Sequence, residues 1–527
     1  MKHLFYTIAV MLCFCTCACG EKPEPVPEKA AAPVLVSVEP SSGSTGIATG
    51  TRSIVFTYDQ NVKCTLENQK KITISGDGTV DKVSTYSTAL TVTVTLPSYE
   101  TSYTVSVPAG CVEGYKTAQE AAAAASTSFT TGAKPDEPDP DVPVVPEDDG
   151  SAPWQMARKL GLGFNFGNQM DAYSNDVAGE TVWGNPACTQ QAFDKLKSYG
   201  FSSVRIPITW LGHIGDAPAY TLDAKWLDRV AEIVGYAEKA GLNCIINTHH
   251  DECNNDGHWL DVKGAAANAT VKQQITAELK AIWTQIANRF KDKGDFLIYE
   301  PFNELQDGGW GWSAAFVADP TAQTDVINEW NQAFVDAVRA TGGANATRWL
   351  GVAGYAASST FTQKYIELPK DSAEGRLMVG FHCYDPYNYC LAKGNTQWGH
   401  TRTVDKNVKE LDESALISLL EPYYTKFVSK GIPVYIGEFG CVNRSNAKEQ
   451  QFQKYYLEYF AKAAATYGMS AFIWDNGCVN TTGENFGYVN HGTGAYIGQG
   501  ATLVPAMVKA MTDQNYTLEN VYDNAPK

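Results

Sequence analysis

The sequence predicts a multidomain chain, an N-terminal β-sandwich followed by a (β/α)8 TIM barrel. Three observations carry that reading. The 527 residues are too many for one ordinary domain. Residues 33–132 consist of short β-branched runs with period-two alternation. From 153 to 527, strand-like runs alternate with helical periodicity. A Pro- and acid-rich stretch, "GAKPDEPDPDVPVVPEDDGSAP", separates the two and reads as a semi-rigid linker over 133–152.

The opening "MKHLFYTIAVMLCFCTCACG" has a basic start, an apolar run from Leu4 to Leu12, and small residues before a cysteine. That is the layout of an export leader, and the run is too short for a spanning helix. It resembles a bacterial lipoprotein signal. The resemblance implies a signal peptide over 1–19 and lipid on Cys19, with Cys17 second and cleavage without lipid as the alternative. Residues 20–32 then form a polar tether. The expected location is the cell surface or periplasm of a Gram-negative bacterium, as an outer-membrane lipoprotein held by its lipid anchor.

In the sandwich, "SIVFTYD", "KITIS", "ALTVTVTL", "SYTVSVPAG" and "STSFTTG" are the strands, with "GDG" and "PSYE" among the turns. The early "VEPSSGSTGI" and closing "FTT" resemble bacterial immunoglobulin-like (Ig-like) modules. No paired carboxylates or histidine cluster occur here, so a spacer role is expected. Sugar binding through Tyr and Phe is the alternative. Of 13 cysteines, those at 13, 15, 17 and 19 fall in the leader, which leaves an odd number. They cannot all pair within one chain. Cys64 and Cys111 are the candidates for a bridge inside the sandwich, or are two small buried hydrophobes.

Eight strands are expected in the larger region: 161–167, 202–208, 243–249, 295–303, 347–354, 376–384, 433–439 and 469–475. "DAKWLDRVAEIVGYAEKAG" and "VKQQITAELKAIWTQIANRF" carry the intervening helical pattern. No G-x-G-x-x-G follows the first strand, which disfavours a dinucleotide fold. The net charge of −17 argues against a nucleic-acid partner. The 12 Trp and 27 Tyr could stack on sugar rings, though most aromatics serve the core.

Active sites of such barrels lie at the C-terminal strand ends. Reading those ends gives Arg205, then His249 and His250, Asn303 and Glu304, His382 and Tyr384, Glu438, and Trp474. A purely structural barrel needs no such polar rim. Two glutamates at opposed strand ends suit glycoside hydrolysis, in which one carboxyl protonates the leaving oxygen and the other attacks or activates water. Glu300, one layer deeper, reads as a structural partner for a donor.

"NE" at 303–304 and "IGEFG" at 436–440, with "GFNFGNQMDA", "TVWGNP", "SVRIPITW", "INTHHD", "HCYDPY" and "FIWDNG", resemble glycoside hydrolase family 5. Its endo-β-1,4-glucanase (cellulase) branch is the most similar. The resemblance implies a retaining enzyme with Glu304 as acid/base and Glu438 as nucleophile. It implies that Asn303 binds the sugar 2-hydroxyl, that His382 and Tyr384 orient the glutamates, and that Trp474 is a stacking floor. Arg205 would pair with Glu438 and hold its pKa low. His249 and His250 would contact the sugar or Asn303. Leu305 departs from the Pro common in the family. The loop "QDGGWGW" offers Trp310 and Trp312 as outer subsites or as surface packing. The implied partner is a plant β-glucan: cellulose, mixed-linkage glucan or xyloglucan. No cofactor or metal is expected, and a monomer is. A carboxyl separation of about 5–5.5 Å is expected for retention.

Rival readings are a β-mannanase of the same family and a non-catalytic glycan-binding surface lipoprotein. A metal hydrolase could use His249, His250, Asp251 and His258. It would leave both glutamates without work, and adjacent histidines on a strand face opposite sides. No G-x-S-x-G elbow supports a serine hydrolase.

Overall fold

Strand Ala89–Leu96, "ALTVTVTL", shows how the smaller region is built. Leu90, Val92, Val94 and Leu96 point inward and are buried, while the threonines between them face out. Four-stranded sheets pair in the orders Leu35–Glu39, Gly50–Tyr58, Ala89–Leu96, Thr79–Tyr86 and Ser44–Ile47, Ala125–Thr131, Ser102–Val107, Thr73–Ile74. Their inner faces share a core that includes Ile54, Phe56, Val105 and Phe129. Cys64 and Cys111 lie buried as free thiols, so the bridge considered from the sequence is not formed. Burial pushes the Cys64 thiol up to about 11. These features come from a computed structural model that describes residues 30–116, 119–133, 146, 148–252, 258–480 and 483–527. The leader, most of the tether, Cys17 and Cys19 lie outside the described residues, as do linker residues 134–145 and 147. The chain forms two compact units that divide between Pro143 and Val144.

The second unit is a closed barrel of eight parallel strands. They are β1 (Leu162–Phe166), β2 (Ser203–Ile206), β3 (Asn243–Ile246) and β4 (Leu297–Tyr299), then β5 (Leu350–Val352), β6 (Leu377–Cys383), β7 (Val434–Phe439) and β8 (Met469–Asp475). Strands β1, β7 and β8 are buried at every residue, as a sheet covered on both faces requires. Helices between strands follow from capping and one apolar face. Ala224–Ala240 starts at Asp223, whose side chain accepts from the Lys225 N–H, and ends at Gly241 in the left-handed region (φ 69°). It buries Trp226, Val230, Ile233 and Val234. Helix Ala152–Leu160 contributes Met156 and Leu160 to a core with Ile245, Ile298, Met378 and Phe472.

Two local departures from regular strand matter for the site. Strand β3 stops at Ile246, three residues earlier than expected, so Thr248 to His250 follow a bent path. The opposite-faces rule therefore does not apply, and the His249 and His250 rings meet edge to face at 4.5 Å. The second is a bulge on β7. Phe381 pairs with Ile436 but His382 pairs with Glu438, leaving Gly437 as the extra residue. The bulge turns Glu438 to the same side as Tyr435, which strict alternation would forbid. A Cβ on Gly437 would stand 3.0 Å from His382 Nε2.

Candidate active site

The site has two layers built around Arg205, which is fully buried on β2. In the lower layer its Nη2 and Nε donate to Glu300 Oε1 at 2.7 and 3.2 Å. Glu300 also accepts from Asn247 Nδ2 at 2.9 Å and from the Tyr435 hydroxyl at 2.7 Å. Tyr435 fits because Gly351 and Gly380 lack side chains: a Cβ on either would come within 2.5 Å of the tyrosine oxygen. Burial pushes the Glu300 carboxyl up, but Arg205, His382 and Tyr435 together outweigh it and the net direction is down. Glu300 is thus the structural partner anticipated for it.

In the upper layer Arg205 Nη1 donates to Glu438 Oε1 at 2.8 Å, and Nη2 donates to Asn303 Oδ1 at 2.7 Å. Asn303 therefore keeps its Nδ2 group to donate elsewhere. The Tyr384 hydroxyl donates to Glu438 Oε2 at 2.8 Å. His382 Nδ1 lies 2.7 Å from Glu304 Oε1 and 3.8 Å from Glu438 Oε2. One oxygen of Glu304 and one of Glu438 lie within 4.8 Å of each other, with a His382 nitrogen between the same limits. Burial would lower His382, but Glu438 and then Glu304 raise it.

The Glu438 carboxyl departs from expectation. The ion pair with Arg205 is present, yet the net direction of its pKa is up. Burial is the largest cause, His382 and Arg205 pull down, and Glu304 pushes up again. Burial and the neighbouring Glu304 carboxylate outweigh His382 and Arg205, and Arg205 shares its donors with Glu300.

The remaining rim residues gather on the same side. Trp474 stacks parallel to His249, with centroids 5.9 Å apart and planes 5° from parallel. A Cβ on Gly167 would meet the Trp474 ring at 2.5 Å, so only glycine allows this placement. The side-chain Oδ1 of Asn247 accepts from the Ile208 N–H, so its Nδ2 faces His249 Nδ1 at 3.3 Å. Burial pushes His249 well down, so the ring is neutral and its Nε2 carries the proton. His250 faces Asp171 at 3.6 Å; burial lowers it, but Asp171, Glu252 and Glu304 together raise it on balance. Trp310 and Trp312 are 51% and 85% exposed on the loop after β4. That loop is anchored by Asp307, which accepts from Tyr355 at 2.8 Å, from Gln323 and from Ser313.

Asp475 does not line the opening. It is fully buried and accepts from the N–H groups of Gly477, Tyr488 and Val489, holding the loop after β8. Asn165, Asn247, Tyr435 and Glu252 were not read from the sequence as site residues. Glu252 Oε2 accepts from the Glu304 N–H at 3.1 Å, and burial pushes its carboxyl up to about 8. Asn165 and Asn247 lie inside the quoted stretches "GFNFGNQMDA" and "INTHHD", while nothing in the sequence separates Tyr435 or Glu252 from core polar residues.

The four ligands of the metal reading do not converge. Asp251 accepts from the Trp210 N–H and Trp259 Nε1, and His258 lies apart against Tyr173. Two donor triads do meet, Asp171–His249–His250 and Glu304–His382–Glu438. In the first, Asp171 already accepts from the Asn168 and Gln169 N–H groups. The second adjoins the permanent charge of Arg205, which opposes a cation.

Residues 166–479 match the model of the cellulase family, glycosyl hydrolase family 5, and residues 29–131 match that of a bacterial Ig-like domain. Endoglucanase B of Clostridium cellulovorans is 40% identical over 341 residues, covering 64% of this chain and 71% of the relative. Two solved structures align closely. A broad-specificity endoglucanase from Bacteroides salanitronis has a TM-score of 0.67 at 47% identity, covering 72% of this chain and all of its own. A family 5 xyloglucanase from Paenibacillus pabuli has a TM-score of 0.62 at 34% identity, covering 68% of this chain and all of its own. With the eight-stranded barrel and its paired rim glutamates, these matches show that the chain is a glycoside hydrolase belonging to glycosyl hydrolase family 5.

Proposed function

We propose that the barrel is a retaining, endo-acting β-1,4-glucan hydrolase that works by double displacement. The observation that carries this is the approach of the two carboxylates, with oxygens within 4.8 Å. That approach supports retention, for which the carboxyl groups stand about 5–5.5 Å apart, over inversion, which separates them by about 6.5–9.5 Å to admit a water. Glu304 gives its proton to the glycosidic oxygen as that bond to C1 breaks. Glu438 attacks C1 through one carboxylate oxygen and forms a glycosyl ester. Glu304, now ionised, takes a proton from water, whose oxygen attacks C1 and expels the Glu438 carboxylate. Arg205 and Tyr384 fix the attacking carboxylate on separate oxygens. Asn303 donates through Nδ2 to the sugar 2-hydroxyl. Trp474 supports the ring at the reacting position, and His249 offers its Nε2–H beside it.

The names of the relatives, an endoglucanase and a xyloglucanase, support a β-1,4-glucan as substrate. The test is product release by the mature chain from carboxymethylcellulose, barley mixed-linkage glucan, tamarind xyloglucan and glucomannan. Proton NMR of the first product follows its anomeric configuration. A β-anomer formed first is expected. An α-anomer formed first would falsify retention, and no release from the three glucans would remove the glucanase reading. We also propose that Cys19 is lipidated and anchors the enzyme in the outer membrane, at the cell surface or facing the periplasm. Labelling with a radiolabelled fatty acid, lost in Cys19→Ala, checks it.

A further inference from the structure

One cavity belongs neither to the two layers nor to the fold's packing. It has a volume of about 420 Å³ and is lined from the loops after β1, β2 and β3 and from helix Ala269–Arg289. Asp176, Asp216, Tyr220, His258, Trp259 and Glu278 supply its polar and aromatic lining. The size is that of a small-molecule site.

His258 is the observation that turns this hollow into a site. It is only 7% exposed, yet neither ring nitrogen has a hydrogen-bond partner among the described residues. Its nearest carboxylate oxygen, on the exposed side chain of Asp176, stands 3.5 Å from Nε2. A buried polar group left this way costs about 1–3 kcal/mol, so such groups are nearly always satisfied. A bound hydroxyl would satisfy it.

The cavity is joined to the catalytic mouth by a run of rings. His258 meets Tyr173 edge-on at 5.3 Å, and Tyr173 meets Trp183 and His250 at 5.5 and 5.8 Å. His250 in turn adjoins His249, which stacks on Trp474. Trp183, 42% exposed, offers ring surface along that run, which suits a polymer with flat apolar sugar faces.

We propose that this cavity is a binding site for a neutral pyranose of the glucan, lying outside the catalytic mouth. Carboxylates accept from sugar hydroxyls, the imidazole can donate or accept, and Trp259 and Tyr220 offer ring surface. An acidic ligand would meet three carboxylates and is disfavoured. A bare cation is disfavoured too, since among the described residues no three donors here approach one another as those of the two triads do. The proposal rests on the glucan-hydrolase reading. The pyranose has two possible sources, a branch sugar carried by xyloglucan or a distal unit of the backbone.

The test uses the full mature chain carrying Glu438→Gln, so that ligands bind without turnover. Affinities are measured by calorimetry for cellotriose, cellohexaose and a xylosylated xyloglucan heptasaccharide. The second substitution is His258→Ala or, at the more open edge, Asp216→Asn with Glu278→Gln. The expected result is a fall of about tenfold in affinity for a larger ligand relative to cellotriose, the loss of about one good hydrogen bond. A fall confined to the heptasaccharide assigns the cavity to a branch sugar. A fall confined to cellohexaose assigns it to a distal backbone unit. Equal changes for all three ligands, or none, in the folded Asp216→Asn/Glu278→Gln variant would overturn the proposal. An otherwise unmodified chain that releases product from no glucan would overturn the glucanase reading, a result distinct from a cleaving enzyme whose cavity variants bind as before.

Discussion

Glu300 and Glu438 are both buried glutamates on one arginine, and their pKa values move in opposite directions. Glu300 accepts from Arg205 twice, from Asn247 and from Tyr435. Glu438 accepts once from Arg205 and once from Tyr384. Burial raises both; Glu300 is brought down by Arg205, His382 and Tyr435, whereas Glu438 also faces the like charge of Glu304, which adds to its burial. The better-supplied carboxylate is a fixed anion that orients Arg205. The poorly supplied one keeps lone pairs and free energy available for chemistry.

The largest effect that sharpens this contrast is on turnover. Glu438→Gln preserves shape and removes the attacking oxygen. A loss in kcat/KM of about 10³-fold or more is expected, with a melting temperature at or slightly above that of the parent. Assays on soluble β-glucan beside thermal scans give both numbers. A variant that retains a tenth of the activity would mean that another group attacks C1.

Glu300→Ala should show the reverse emphasis. It leaves the buried guanidinium without its chief partner, and breaking a buried pair costs about 3–5 kcal/mol. Urea unfolding should show that loss in the midpoint. If stability is unchanged while activity disappears, the lower layer is not the structural one.

Much of this contrast was legible in the sequence, and the gaps have physical causes. All eight barrel strands stand where alternating patterns placed them, since parallel strands buried on both faces leave a strong apolar signal. Strand ends were less readable. Strand β4 was expected to run through Asn303 but closes at Tyr299, and β3 closes before its histidines. The bulge at Gly437 is invisible to a period-two rule, yet it lets Tyr435 and Glu438 share the barrel interior. The Glu438–Arg205 pair was foreseen, but not its strength, because that depends on how many groups divide one guanidinium. Tyr435 and Asn247 read as ordinary strand residues until Glu300 is seen between them.

Tyr384→Phe is the next smaller break. It deletes one of the two donors to Glu438, a hydrogen bond to a charged group worth about 1.5–3 kcal/mol. The Tyr384 bond lowers the Glu438 carboxyl, so its loss moves that carboxyl further up. The nucleophile must be ionised, and the acid limb of kcat/KM against pH should therefore shift to higher pH. A fall of roughly ten- to a hundredfold at the optimum accompanies it. An unmoved acid limb would show that Tyr384 acts on the substrate and not on Glu438.

The last effect is thermodynamic and concerns a third carboxyl, Glu252, raised from 4.5 to about 8 chiefly by burial. Between those two values the folded state holds a proton that the unfolded state has released. Stability contributed by this group is therefore present below the unfolded value and falls as pH rises through the window toward 8. Glu300, with its carboxyl lowered, slopes the other way and only at acid pH: its contribution is present above the unfolded value and lost as pH falls. Glu252→Gln keeps an oxygen to accept from the Glu304 N–H but cannot ionise. Unfolding free energies at a series of pH values should show a flatter decline from 5 to 8 for this variant than for the parent. Equal slopes would mean that Glu252 is already ionised in the folded state, and that its oxygen holds the Glu304 backbone as an anion, with Glu304 placed beside a full negative charge.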